Sequence, residues 1–383
     1  MDFDLSEEQS LIKDSVTRLL RTEYGFEARE KHRAEASGFS EKLWASFAEL
    51  GLLAIPFEEE DGGLGAGPVE TMIVMEAFGR ALVVEPYLAS VVMAGAALRH
   101  AASPEQRAAI VPGIVEGSSR LAFALAERDT RYDLSRIAMK ASREGDGFRL
   151  SGEKTLVLHG DTATGFVVAA RTAGAPGEAA GLGLFNVPAG ADGLTRRGFP
   201  TQDGMRAGEL TFANVFVPKD AVLGDPEGAW PAIARVEAEV SAALCAEAVG
   251  SMERMVELTV AYIKERKQFG VPIAAFQVLQ HRASEMYMAL EQARSMAIFA
   301  AMNAAEHDET ARRTAISAAK VQIGRSGRFI GQNAVQLHGG VGVTMEYEIA
   351  HHFKRQAMID LAFGDADYHL KLVADAGGMD ERD

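Results

Sequence analysis

The chain of 383 residues has a single cysteine, Cys245, so it can build neither a disulfide framework nor a cysteine-based zinc site. Cys245 lies in an alanine-rich helical run and reads as a small buried hydrophobe. No apolar run approaches the roughly 20 residues that span a bilayer. The N-terminal Met1-Asp2-Phe3-Asp4 lacks the basic, apolar and small-residue regions of a signal peptide. The expectation is a soluble, cytoplasmic protein with no membrane insertion. Positive charge is in deficit, 39 Lys and Arg against 54 Asp and Glu, a net −15. That excludes nucleic acid as a main partner, because phosphate affinity rests on a positive surface; a local basic pocket for a phosphorylated cofactor stays open. Metal-ligand spacing is also missing. His351 and His352 are adjacent rather than four apart, and are expected in surface or interface packing. The acidic run Glu58-Glu59-Glu60-Asp61 lacks the alternating spacing of a calcium loop and reads as a solvated turn. No metal is expected.

What is present is an ordinary globular composition, 48% apolar and 24% charged, long enough for two or three lobes. Residues 1–120 read as an N-terminal α-helical domain. Ser6-Glu7-Glu8-Gln9 has the form of a capped start ahead of Leu11, Val16, Leu19 and Leu20. Ser40 caps a helix carrying Leu43, Trp44, Phe47 and Leu50, which Gly51 ends. Helical patterns run from Val69 to Arg99 and from Pro104 to Val115. Residues 121–225 read as a β domain, a small barrel or sandwich. Leu121–Leu125, Gly165–Ala170, Leu182–Val187 and Leu210–Val217 read as strands, and Gly145–Gly147 as a hairpin turn. Residues 226–383 read as a C-terminal helical bundle with long patterns around 231–264, 273–306 and 309–337. Trp44 and Trp230 read as packing anchors, and the methionines from Met286 to Met302 as core. The fold class is α+β, mainly α.

Two segments of the bundle carry candidate chemistry. Gln336-Leu337-His338-Gly339-Gly340-Val341-Gly342 is a glycine turn able to take a dinucleotide backbone. Arg266-Lys267-Gln268-Phe269-Gly270, with Gln277 beyond, offers a planar fork for pyrophosphate oxygens, an aromatic face and a backbone bend. A helix C-cap with a basic last turn would account for Arg266 and Gly270 alone. The conjunction of both segments favours a cofactor.

These segments, with the order helical, β, helical bundle, resemble the acyl-CoA dehydrogenase family, flavoenzymes that desaturate acyl-CoA thioesters. The resemblance covers nearly the whole chain. It implies FAD as cofactor, with Arg266, Phe269, Gln277, Gln336, Leu337, Gly339, Gly340 and Gly342 at the end of a flavin held mainly by a neighbouring subunit. It implies acyl-CoA as substrate and an electron-transfer flavoprotein as electron acceptor.

The departures from the family pattern fall together. About twenty residues after the glycine turn the family has a Tyr-Glu-Gly triplet whose Glu is the general base; that position here is Phe363. In branches where the base lies on the first bundle helix, the position falls on Val240, followed by Ser241. Glu239 and Glu237, read as residues of an exposed helical face, are the nearest alternatives, with Asp365 and Asp367 behind them. In the β domain Glu127, Asp133 and Lys154 persist. Arg131 and Tyr132, however, stand where the family has Gly and Ser, and Leu156 and Leu158 where it has Trp and Thr. Leu158 cannot hydrogen-bond a flavin edge, and an unpaired buried polar atom costs about 1–3 kcal/mol. Arg128 and Arg131 facing a phosphate is an alternative use of that loop.

Three functions follow. The first is a subunit that completes the flavin site of another acyl-CoA dehydrogenase-like chain in a hetero-oligomer, resembling the small subunits of pimeloyl-CoA-dehydrogenase-like enzymes. The second is a self-sufficient homo-oligomer using Glu239 or Glu237 as base. The third is a flavin-free scaffold.

Overall fold

Ser6 opens the first helix, α1 (Glu7–Glu23), through a capping box: its Oγ accepts from the Gln9 amide while the Gln9 side chain accepts from the Ser6 amide. The computed structural model describes residues 5–377; the Met1–Asp4 segment lies outside them. The chain divides into two units. One takes residues up to 31, 68–83 and from 241 onward; the other takes 32–67 and 84–240.

In the first unit α1 packs on α4 (Pro68–Ala81), and α4 crosses the long helix α7 (Trp230–Glu265). The crossing depends on two glycines. A Cβ on Gly79 would sit 1.8 Å from the Glu247 carbonyl oxygen, and one on Gly250 would sit 1.8 Å from that of Glu76. A buried ion pair locks the same region, Arg355 to Glu247 at 2.6 and 2.7 Å. The bundle continues with α8 (Gln277–Ala304) and α9 (Glu309–His338), an antiparallel pair, and with α10 (Glu348–Leu361) and α11 (Ala366–Asp375) packed on α9. A two-stranded hairpin, β9 (Lys267–Gln268) with β10 (Val271–Pro272), joins α7 to α8.

The second unit is built on an eight-stranded sheet in the order β6 (Leu194–Pro200), β7 (Arg206–Val217), β3 (Gly147–Leu158), β2 (Lys140–Glu144), β4 (Gly165–Arg171), β5 (Leu182–Pro188), β8 (Val222–Leu223). Strand β1 (Leu121–Ala124) adds parallel to β4. A single register pair, Lys140 opposite Arg171, links the two halves. Phe148, Leu150, Phe212 and Val215 from one half and Phe166, Val168 and Phe185 from the other share one buried core. The β2–β3 hairpin turns at Gly145-Asp146, Glu144 pairing with Gly147. Helices α3 (Glu41–Glu49), α5 (Gly95–Ala101) and α6 (Pro104–Val115) complete the unit. Ser40 and Ser103 cap α3 and α6.

Several expectations need correction. The helical patterns from Val69 to Arg99 are interrupted: they break after α4 at Leu82, which takes φ 55°, and resume as a π-helical stretch over Leu88–Ala94. Helix α2 (Phe26–Ala34), strand β6 and the β9–β10 hairpin lack a readable sequence signal. His351 and His352 are interior rather than on the surface. Arg29 donates to His351 Nδ1, and Ser251 Oγ lies 2.9 Å from His352 Nδ1. Asp61 is buried and accepts from Arg107 Nε at 2.7 Å rather than being solvated. Met286 is core, but Met288 and Met302 face outward with Tyr287 and Phe299. Cys245 is buried, and burial pushes its thiol up to about 12. Among the described residues no helix is long and apolar enough to cross a membrane.

Candidate functional site

In the β unit a buried lysine organises the loop that leaves β1. Lys154, at the middle of β3, donates to the Leu125 carbonyl at 3.0 Å and to Glu127 Oε1 at 2.7 Å. Glu127 also accepts from the Ala138 and Met139 amides at 2.8 and 3.0 Å. The two ends of the 127–138 loop are thereby closed on one ion pair. Burial pulls the Lys154 ammonium down to about 8 against the opposing pull of Glu127. Arg171 fastens the loop's far side, donating to the carbonyls of Ser135 and Ile137 at 2.7 and 2.8 Å.

Within the loop, Thr130 closes a turn on Glu127, and Asp133 caps the short helical turn that begins at Leu134. Arg131 is exposed at φ 46°, a left-handed conformation uncommon for a long side chain. Arg128 is largely exposed, 4.0 Å from Glu209. Past Lys154 the ladder with β7 slips, leaving a bulge at Leu156, which takes φ 50° and is 55% exposed. Leu158 rejoins the ladder opposite Ala207.

In the bundle, antiparallel packing brings the end of α7, the start of α8 and the end of α9 to one end. The Tyr262 ring, one turn before Arg266, packs on His338 with centroids 4.4 Å apart, and the Tyr347 ring lies 5.2 Å from His338. Arg282 on α8 reaches Asn333 on α9. The Arg266–Gln277 and Gln336–Gly342 segments therefore share this end.

Arg266 and Gln336 are exposed, and their side chains have no hydrogen bond or ion pair among the described residues. Phe269, at φ 54° beside Gly270 at φ 83°, is 91% exposed, touched edge-on by Phe276. Gln277 opens α8 and is also exposed. Leu337 is buried. Gly339 ends α9 at φ 60°, ψ −136°, where a Cβ is strongly disfavoured; a Cβ there or on Gly340 would meet nothing within 4 Å. Gly342 is enclosed, with the Val335 carbonyl 2.8 Å from where a Cβ would be. His338 is buried with Nδ1 on the Ala334 carbonyl at 2.8 Å, which leaves Nε2 buried without a partner among the described residues.

The positions where a base would be sought are occupied as follows. Phe363 sits in a left-handed turn, φ 57°, between α10 and α11. His369 Nε2–H donates to its carbonyl at 3.1 Å, while Nδ1 accepts from Ser317. Lys320 donates to the Ile359 and Ala362 carbonyls, both at 2.8 Å. Asp365 caps α11, and Asp367 is exposed in its first turn. On α7, Val240 is fully buried, and Ser241 is buried with its hydroxyl unpaired among the described residues. Glu237 is half-buried. Glu239 is largely buried rather than on an open face, with Arg99 and His100 both bound to its carboxylate.

Sequence reasoning missed Lys320, His369, Arg171 and Arg99. Each holds a segment remote in sequence, and no local spacing marks it.

Three domain profiles match the chain in order: acyl-CoA dehydrogenase N-terminal domain over residues 6–118, middle domain over 122–215 and C-terminal domain over 237–378. The chain is 27% identical over 379 residues to "Probable acyl-CoA dehydrogenase YngJ" of Bacillus subtilis (strain 168), covering 98% of this chain and 99% of that one. Among solved structures it is similar to a chain of the ChsE4-ChsE5 complex from Mycobacterium tuberculosis, with TM-score 0.87, 25% identity and full coverage of both chains. It is also similar to a chain of the Tcur3481-Tcur3483 steroid acyl-CoA dehydrogenase, with TM-score 0.87, 29% identity and coverage of 97% and 98%. With helical, β and helical parts in that order, each matched by its own profile, the chain belongs to the acyl-CoA dehydrogenase family of oxidoreductases.

Proposed function

We propose that this chain serves FAD-dependent α,β-dehydrogenation of an acyl-CoA thioester as the subunit that completes the flavin site of a partner chain of the same family. One observation carries the proposal: the bundle end offers its ligand-binding groups outward, while the positions for a base hold Phe363 and Val240.

The bundle end fits the adenine and pyrophosphate part of FAD. Gly339 and Gly340 leave their backbone open, the Arg266 guanidinium has no partner among the described residues, and the exposed Phe269 ring needs a cover. The β unit does not fit the flavin ring in the family's manner, because Leu158 has no hydroxyl to donate. Leu156 and Arg131 also occupy strained backbone where the family has Trp and Gly.

Bound FAD would supply the hydride acceptor for Cβ–H cleavage. In this chain Arg266 would pair with pyrophosphate oxygens, the Gly339–Gly340 backbone would lie along the dinucleotide, and Gln277 and Gln336 would donate at its edge. Phe363 takes no proton. A positioned base contributes about 10²–10⁴-fold, and it would come from the partner. The similarity to chains of the ChsE4-ChsE5 and Tcur3481-Tcur3483 assemblies supports a heteromeric arrangement. A steroid-side-chain or dicarboxylic acyl-CoA as substrate, and an electron-transfer flavoprotein as acceptor, are part of the proposal.

The test is to purify the chain alone and together with an acyl-CoA dehydrogenase-like chain encoded beside it, recording flavin absorbance and its bleaching by acyl-CoA. The expected result is a colourless or inactive single chain that becomes yellow and active with its partner. Yellow, active protein from this chain alone would instead establish the self-sufficient homo-oligomer. Failure to hold flavin in any assembly would favour a scaffold.

A further inference from the structure

A recess lies within the bundle unit, lined by none of the residues assigned to flavin. It is a cleft of about 350 Å³ between α1, the α1–α2 turn, the end of α4 and the start of α10. This is within the range of about 300–1,000 Å³ usual for small-molecule sites. Its apolar walls are Leu20, Tyr24 and Phe26 on one side and Ala77, Ala81 and Leu82 on the other. Ala77 and Ala81, one helical turn apart on α4, leave the space that larger residues would fill.

The polar lining is mostly cationic. Arg80 spans Glu253 and Glu257 at 2.8 and 2.6 Å, and Arg254 grips Glu348 with two bonds of 2.9 Å. Arg21 is exposed at the rim and has no side-chain hydrogen bond or ion pair among the described residues. The fully buried His352 imidazole in the wall senses the local field. Burial holds it well below its ordinary range, and Arg29, Arg254, His351 and Arg80 push it the same way. An apolar slot under a positive rim, with one guanidinium unspent, selects an anion attached to a hydrocarbon body.

We infer that this cleft is a binding site for a small amphiphilic carboxylate, its head group on Arg21 and its apolar body between Tyr24, Phe26 and the alanine face of α4. The carboxylate supplies the acceptor pair that matches the arginine fork. The apolar body excludes a bare inorganic anion as the preferred occupant.

The experiment is isothermal titration of the purified full chain with hexanoate, hexanol and sulfate. Hexanoate should bind saturably at one site per chain, and hexanol and sulfate at least about tenfold more weakly. Arg21→Gln should weaken hexanoate about tenfold, and Ala77→Leu should abolish its binding in a protein of wild-type circular dichroism. Arg21 is exposed and unpaired among the described residues, so its variant folds and decides the matter even if Ala77→Leu does not. Hexanoate binding no tighter than hexanol overturns the assignment. So does an affinity unchanged by Arg21→Gln, or one that survives in folded Ala77→Leu. None of these outcomes depends on whether the chain binds flavin.

Discussion

Replacing Lys154 with Met probes the ion pair that closes the 127–138 loop. The Lys154 side chain is fully buried and bound to Glu127 and the Leu125 carbonyl. Removing the cation leaves the largely buried Glu127 on two amides with no countercharge. Breaking a buried pair this way costs about 3–5 kcal/mol at neutral pH.

The pH dependence gives the sharper test. Lys154 titrates at about 8 in the folded chain against 10.5 when unperturbed. Between those values the unfolded chain holds a proton that the native lysine has released, so wild-type stability rises with pH across that window. The Met variant lacks the titrating group. At pH 9.5, about one and a half units into the window, the wild type has gained about 2 kcal/mol relative to the variant. Urea unfolding followed by far-ultraviolet circular dichroism at pH 7, 8.5 and 9.5 measures the gap between the two proteins. It should widen with pH. A gap that stays constant or narrows would show that Lys154 is not held as a desolvated cation, and the loop would need another anchor.

Other outcomes follow from the bundle. Gly79→Ala drives a methyl into the Glu247 carbonyl, and the α4–α7 crossing should lose about 3 kcal/mol, read as a lower urea midpoint. Glu247→Gln, which strands the Arg355 charge, should cost about 3–5 kcal/mol, whereas the apolar double change Glu247→Leu with Arg355→Met should recover most of it. His369 is pulled down to about 4, by burial first and then by the Lys320 charge. The unfolded chain therefore takes up a proton first as pH falls from 6.5, and stability should drop by about 2 kcal/mol by pH 5; His369→Gln should flatten that slope.

How much of this was legible in the sequence depended on range. Helix starts at Ser6 and Ser40 were readable because a cap and the amide it accepts from are only three residues apart. The long patterns at 231–264, 273–306 and 309–337 were readable because each exceeds six turns and stops at a polar or glycine break. The α8 faces were not. Tyr287, Met288, Phe299 and Met302 point outward, so apolar residues ring the helix and periodicity cannot say which side is core. The break at Leu82 was hidden too, because a left-handed leucine carries no signal that a glycine would.

Around the candidate site, residue types at Phe363, Leu156 and Leu158 were visible at once. The groups that hold their segments were not: Lys320 meets carbonyls about forty residues away, and Arg171 those of Ser135 and Ile137. Long cationic side chains bonded to backbone carbonyls leave no pattern, since any peptide unit will serve as acceptor.

Glu239 is the residue on which the division of labour between subunits can be tried. Burial pushes its carboxyl up, but the His100 hydrogen bond and the Arg99 and His100 charges outweigh this and hold it below the usual carboxylate range. A carboxylate stabilised in that way is a weaker base, since proton abstraction must undo the same contacts. Glu239→Gln in the assembled, flavin-loaded enzyme should therefore leave turnover nearly unchanged. It should cost this chain about 1–3 kcal/mol, because an amide can satisfy the geometry but not the Arg99 charge. The deficit should be full above the ordinary carboxyl range and fade as acid protonates the wild-type residue, as a lowered folded pKa requires. A base would behave oppositely, losing about 10²–10⁴-fold in turnover with stability intact and partial rescue by Glu239→Asp. That pattern would return the chemistry to this subunit, and Phe363 would then mark only a base moved to α7.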